Sequence, residues 1–188
     1  MVTHVAKHLT TEELEAGLSE IRQTPRDEGI VALIVRRPAE GEREVLAEGI
    51  LDLADGLVGD SWSARGSKRT PDGSAHPDMQ LNLMNARVVD LVAAGDRTRW
   101  ALAGDQLYVD LDLSEANLPS GTRLALGSAV IEVTAEPHTG CAKFSARFGG
   151  DAHRFVNTKK HRHLRLRGLN AKVVEPGTVG SGDTIRKL

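Results

Sequence analysis

The chain has 188 residues, 40% hydrophobic and 27% charged, with aromatic rings at 3% and a net charge of −2. That length suits one domain that buries roughly 70% of its unfolded surface, while near-neutral charge and scarce rings argue against nucleic acid as a partner. A single cysteine excludes an internal disulfide framework, and neither a membrane-spanning apolar run nor a signal-peptide core is visible, so a cytoplasmic location without a membrane partner is expected.

Residues 10–22 read as a helix. Thr10 is a good N-cap, Glu13 completes a capping box, and Leu14, Leu18 and Ile21 share one face. Residues 1–29 are therefore expected to form a helical extension packed on a barrel built by residues 30–188. Residues 29–37 are apolar and β-branched, stopped by Pro38, as in a buried strand. A turn at Glu40, Gly41 and Glu42 leads to a second strand across 43–60, with Gly49 as a bulge and Gly56 and Gly59 as turns. Residues 62–77 are polar, rich in Gly, Ser and Pro, and carry four basic side chains. Loops of that length inside a domain are usually functional or mobile.

Residues 79–85 alternate as a strand, and 86–94 read as a helix ended by Gly95. Residues 106–113 form a clear strand with Leu107, Val109, Leu111 and Leu113 on one face. Two more strands flank Gly127 and Ser128, a short helical segment covers 141–148, and 151–167 is polar and basic. Two short strands joined through Pro176 and Gly177 end the pattern, with a tight turn over Gly180 to Asp183. Many short strands with few helices predict a mainly β fold, a β-barrel with peripheral helices.

Cys141 leads the chemical candidates. Thr139 is placed to cap the turn that follows, which would set the thiol at a helix N-terminus where negative charge is favoured. His138, Lys143 and Arg147 add positive charge nearby. The competing reading is a small buried hydrophobe, the usual fate of a free cysteine. From 143 to 188 the chain holds eleven Lys and Arg against three Asp and Glu. Arg154, Arg162, Arg165 and Arg167 in that stretch suit an anion through their forked donors, or else form a solvated face. His161 and His163 could share a strand face as zinc ligands, but no second cysteine supports them. Asp110 and Asp112 also share a face, and the solvent side of a strand explains them. No nucleophile elbow, dinucleotide loop or phosphate loop is present.

Several segments in order resemble the MOSC family, named for the C-terminal domain of molybdenum cofactor sulfurase. They are Gly56-Leu57-Val58-Gly59-Asp60, Met79 to Asn85 with Ala86-Arg87-Val88, Gly104-Asp105-Gln106-Leu107, Asn117-Leu118-Pro119 with Gly121-Thr122-Arg123-Leu124, and Thr139-Gly140-Cys141-Ala142-Lys143-Phe144. Arg167-Gly168-Leu169-Asn170-Ala171 and Pro176-Gly177-Thr178-Val179 with Gly182-Asp183 complete the series. The resemblance runs from about Ile30 to Leu188. It implies a barrel related to the barrel domain of pyruvate kinase, and a molybdenum cofactor, molybdenum on a pterin, ligated by Cys141. It also implies reduction of a small N-hydroxylated substrate with electrons from a separate donor protein. His138, Thr139, Lys143, Arg147, Arg154, Arg162, Arg165 and Arg167 are the residues expected around that cofactor. The alternative is a non-catalytic module carrying cofactor or sulfur on Cys141. Gly140 stands where many relatives have proline, a change expected to loosen the loop.

Overall fold

The computed structural model describes residues 6–188; residues 1–5 of the expected N-terminal extension lie outside them. Thr10 caps α1 (Thr11–Ala16): its hydroxyl accepts from the Glu13 amide, and the Glu13 carboxylate accepts from the Thr10 amide at 2.8 Å. The helix expected over 10–22 is two pieces, α1 and α2 (Leu18–Ile21), meeting at Gly17. Leu14, Leu18 and Ile21 are all buried, as their spacing requires.

The next region differs most from expectation. After β1 (Glu28–Arg36), residues 43–60 form β2 (Glu44–Leu46), β3 (Glu48–Asp52) and β4 (Gly56–Leu57). β2 pairs with β1, whereas β3 pairs with a later strand in a separate small sheet. Gly49 is no bulge: it pairs in register with Val179. Its missing side chain matters for another reason, since a Cβ there would lie 2.7 Å from Leu57 Cδ1. The long polar segment holds a helical turn, α3 (Trp62–Arg65), and a 3₁₀ turn, Pro77–Met79.

β5 (Leu81–Asn85) runs directly into α4 (Ala86–Val92), whose first amides bond to the Asn85 side chain. A 3₁₀ segment, Arg97–Ala103, leads to β6 (Leu107–Asp110), which ends three residues before the expected limit at Leu113. β7 (Arg123–Leu126) and β8 (Ala129–Val133) follow. α5 (Ala142–Phe148), α6 (Gly150–Asn157) and a 3₁₀ segment (Lys159–Leu164) precede β9 (Leu169–Glu175), β10 (Gly177–Gly180) and β11 (Thr184–Lys187).

Seven strands close a barrel in the order β1, β11, β7, β8, β9, β5, β6, with β6 returning to β1. Every pairing is antiparallel except β5 with β6, where Leu83 faces Leu107 in register. The parallel pair requires a crossover, and α4 with its 3₁₀ segment supplies it. β10, β3 and β4 form the small sheet.

Two cores result. Val31, Ile34, Leu83, Leu107, Val109 and Ile131 belong to one, within the barrel. Val35, Met84 and Tyr108, on the opposite faces of β1, β5 and β6, meet the helices with Leu14, Val89, Phe144 and Phe155. Strands covered on both faces lose simple alternation, which is why Tyr108 is fully buried between Leu107 and Val109. Five of the chain's six aromatic rings, all but Trp62, lie in this second core and serve helix packing. Asp110 pairs with Arg87 and Asp112 receives the Ser114 amide, so this carboxylate pair is structural. Among the described residues no helix is long and apolar enough to cross a membrane.

Candidate active site

A cleft of about 600 Å³ opens at one end of the barrel. One side comes from the strand-end residues Arg37 and Asn82 together with Gly104, another from Trp62, Arg65 and His76 of the long polar segment. The segment running through His138, Thr139 and Cys141 into α5 closes it.

Two buried arginine–aspartate pairs hold these parts together. Arg37, 5% exposed, grips Asp60 through Nε and Nη2 at 2.8 Å each. Its Nη1 donates to Asn82 Oδ1 and the Gly104 carbonyl. Burial alone would raise the Asp60 carboxyl, but the hydrogen bonds and charge of Arg37 prevail and lower it. Arg167 reaches both oxygens of Asp105 through Nη1, at 2.9 and 2.7 Å, and stacks over Phe144 at 5.1 Å. Asp105 also meets His138 Nε2 at 2.8 Å. Against its own burial, Arg167 and His138 hold the Asp105 carboxyl at about 2. Gly168 secures the turn after Arg167: its φ is +108°, and a Cβ would lie 2.0 Å from the Leu83 carbonyl oxygen.

Cys141 is exposed on this cleft, which removes the buried-hydrophobe reading. The expected Thr139 cap does not form. Cys141 itself is the N-cap of α5, with φ −106° and ψ 178° and no side-chain cap bond, because the chain turns helical only at Ala142. Gly140 does not loosen the loop either. Its amide donates to Asn157 Oδ1 at 2.8 Å, and its carbonyl receives Asn157 Nδ2 and lies 3.1 Å from His153 Nε2. A proline would lack the amide that Asn157 grips.

His138, Thr139, Cys141, Lys143, Arg147 and Arg167 all line the cleft. Lys143 reaches out to Glu40, both exposed. The other three expected residues lie elsewhere. Arg162 and Arg165 line a second cavity of about 420 Å³, which shares the wall of His138, Thr139 and Arg167 with the cleft. Arg165 donates there to the Leu118 carbonyl at 2.6 Å. Arg154 is exposed on α6 beside Asp151. His161 bonds Glu15, tying α1 to the basic segment rather than pairing with His163.

Sequence reasoning missed Arg37, Arg43 and Arg65. Arg43, Arg65 and Arg147 meet at the cleft without an ion pair among the described residues. Burial lowers Arg43 and Arg65 first, and neighbouring cations lower them further: Arg147 and Arg37 for Arg43, Arg37 and Arg43 for Arg65. Arg43 Nε is buried without a partner. Cations crowded in this way favour an anion. The signals that could have found the buried partners were Asp60 and Asp105, each following a glycine in a resembling segment.

A seven-stranded barrel with peripheral helices, and a thiol and arginines at its mouth, defines a class of small β-barrel domain, and a family model gives the class a name. The MOSC domain model matches residues 70–186, and the chain belongs to that family. Among solved structures, the YuaD protein of Bacillus subtilis is similar in fold, with a TM-score of 0.62 at 15% identity over 84% of this chain and 94% of that one. YiiM from Escherichia coli gives a TM-score of 0.53 at 19% identity, over 85% of this chain and 69% of that one. A sequence comparison with curated proteins found no match.

Proposed function

We propose that the cleft binds a molybdenum cofactor through Cys141, and that the loaded protein reduces small N-hydroxylated compounds with electrons from a separate donor protein. The observation that carries this reading is the pairing of one exposed thiol with three arginines that lack carboxylate partners, in a cleft of about 600 Å³.

The donor set fits a metal that brings most of its own ligands. Among the described residues no group of three or more His, Cys, Asp or Glu could chelate a bare ion. A single soft thiolate suits a metal already held by an organic ligand. Arg43, Arg65 and Arg147 suit an anionic tail on that ligand. When bound, the cofactor supplies the redox chemistry. The chain's residues supply a thiolate ligand, a cationic wall and a cleft in which Trp62 and Met79 offer apolar contact to the substrate.

The test is elemental analysis of protein from a molybdenum-replete host, wild type beside Cys141→Ala. Molybdenum near one atom per chain in the wild type and none in the variant is expected. Equal molybdenum in both removes Cys141 as ligand. The exposure of Cys141 also favours a second reading, a carrier that holds sulfur on the thiol. Molybdenum-free wild type whose mass shows an extra sulfur that cyanide removes would select it.

A further inference from the structure

Asp105, His138 and Arg167 form a buried group whose chemistry the reading above leaves unused. Asp105 is fully buried at the entry to β6 and accepts from Arg167 Nη1 on both oxygens. Its Oδ1 also lies 2.8 Å from His138 Nε2. An ionised carboxylate only accepts hydrogen bonds, so Nε2 carries the ring proton and neutral His138 keeps its lone pair on Nδ1. Nδ1 makes no hydrogen bond among the described residues. Nor is it among the buried side-chain atoms left without a partner, which are Arg43 Nε and Arg167 Nε. Nδ1 is therefore not sealed off, and the ring it belongs to lines two cavities, one of which holds Cys141.

We propose that His138 is the proton-exchanging group of the Cys141 cleft, with Asp105 as the positioning residue that fixes its tautomer and leaves Nδ1 free for the ligand. The reaction it serves rests on the function proposed above. Burial and the Arg167 charge press the ring below the ordinary histidine range, Asp105 opposes them, and Arg37 adds a further repulsion. A proton taken up on Nδ1 is therefore readily passed on.

Oxygen removal from an N-hydroxylated compound consumes two electrons and two protons and yields the N–H product and water. The reduced donor protein supplies both electrons. The N–O bond breaks with its pair on oxygen, and the Nδ1–H of protonated His138 passes to that oxygen to complete water. The nitrogen receives the two electrons and takes the second proton from solvent, which also reprotonates Nδ1. Throughout, Nε2–H stays on Asp105.

Long-range ¹H–¹⁵N NMR of labelled, cofactor-free protein reads the tautomer directly, with His138→Gln assigning the signals. A protonated Nε2 and a bare Nδ1 that titrates within the pH range of the folded state are expected. An Nδ1–H tautomer, or a ring that never titrates in that range, overturns the proposal whether or not the protein turns over. In cofactor-loaded protein with an artificial reductant, His138→Gln should lower kcat by about 10²–10⁴-fold, the usual contribution of a positioned proton donor. Its KM and molybdenum content should stay unchanged, and the histidine limb of the pH–rate profile should vanish. Wild-type rates and pH profile in that variant overturn the proposal and leave the Cys141 assignment standing. A wild type that binds molybdenum but turns over no N-hydroxylated compound removes the parent reaction, and the tautomer measurement then decides the role of His138.

Discussion

Arg37 commits its whole guanidinium to the interior, to Asp60, Asn82 and the Gly104 carbonyl. Removing it strands the Asp60 charge in a dry site, so Arg37→Met should cost about 3–5 kcal/mol in urea denaturation. The double variant with Asp60→Leu should recover most of that loss, because an apolar pair replaces a buried ion pair more cheaply than either half can stand alone. Asp105 makes stability depend on pH. Its folded value of about 2 lies below the ordinary 3.8, so it stabilises the fold fully above about pH 4, and the contribution of about 2 kcal/mol fades as pH falls toward 2. His138, pressed below its ordinary 6.5, acts in the same direction at higher pH: the unfolded ring takes a proton that the folded one resists. The urea midpoint should thus fall progressively below about pH 6.5, and Asp105→Asn should flatten the portion below pH 4. Cys141 and its neighbours were legible because they sit together in the chain. Arg37, Arg43 and Arg65 lie between 76 and 104 residues earlier in the chain, and only the fold brings them there.

The helices show how far local rules reach. The Thr10–Glu13 capping box is formed as read, and Thr10→Ala should cost about 1 kcal/mol by thermal unfolding. The same rules placed Leu14, Leu18 and Ile21 correctly yet missed the break at Gly17, where a Cβ would lie 2.5 Å from Leu91 Cδ2. That contact is tertiary, so no helical periodicity encodes it. The strand expected over 43–60 failed for a like reason. β2 and β3 serve different sheets, and the partner of β3 is β10, more than a hundred residues later. On α5, the brace from Asn157 replaces the expected Thr139 cap. Asn157→Ala should speed hydrogen exchange at the Gly140 amide while leaving the barrel amides protected.

The whole molecule divides its charge so that cations gather at one end of the barrel. Inorganic phosphate should bind the cofactor-free cleft, weaken as salt rises, and lose several-fold in affinity in Arg65→Ala, with calorimetry as the measurement. The mainly β architecture was legible from strand count and turn residues alone. The split into two cores was not, because β1, β5 and β6 bury both faces and conceal which side is the interior.

Closure of the barrel also sets a timetable for synthesis. β1 pairs with β11 from Glu28 opposite Arg186 to Ile30 opposite Thr184, so the first strand leaves the ribosome long before the partner that seals it. A nascent chain halted before β11 already carries every cleft residue, from Arg37 to Arg167, but no closed wall to hold them in place. Non-local pairings of this kind form late and leave apolar strand faces such as Val31 and Ile34 open to chaperones in the meantime. If the cleft takes the cofactor proposed above, loading follows synthesis: ribosome-bound chains truncated at residue 183 should capture none, and released chains should.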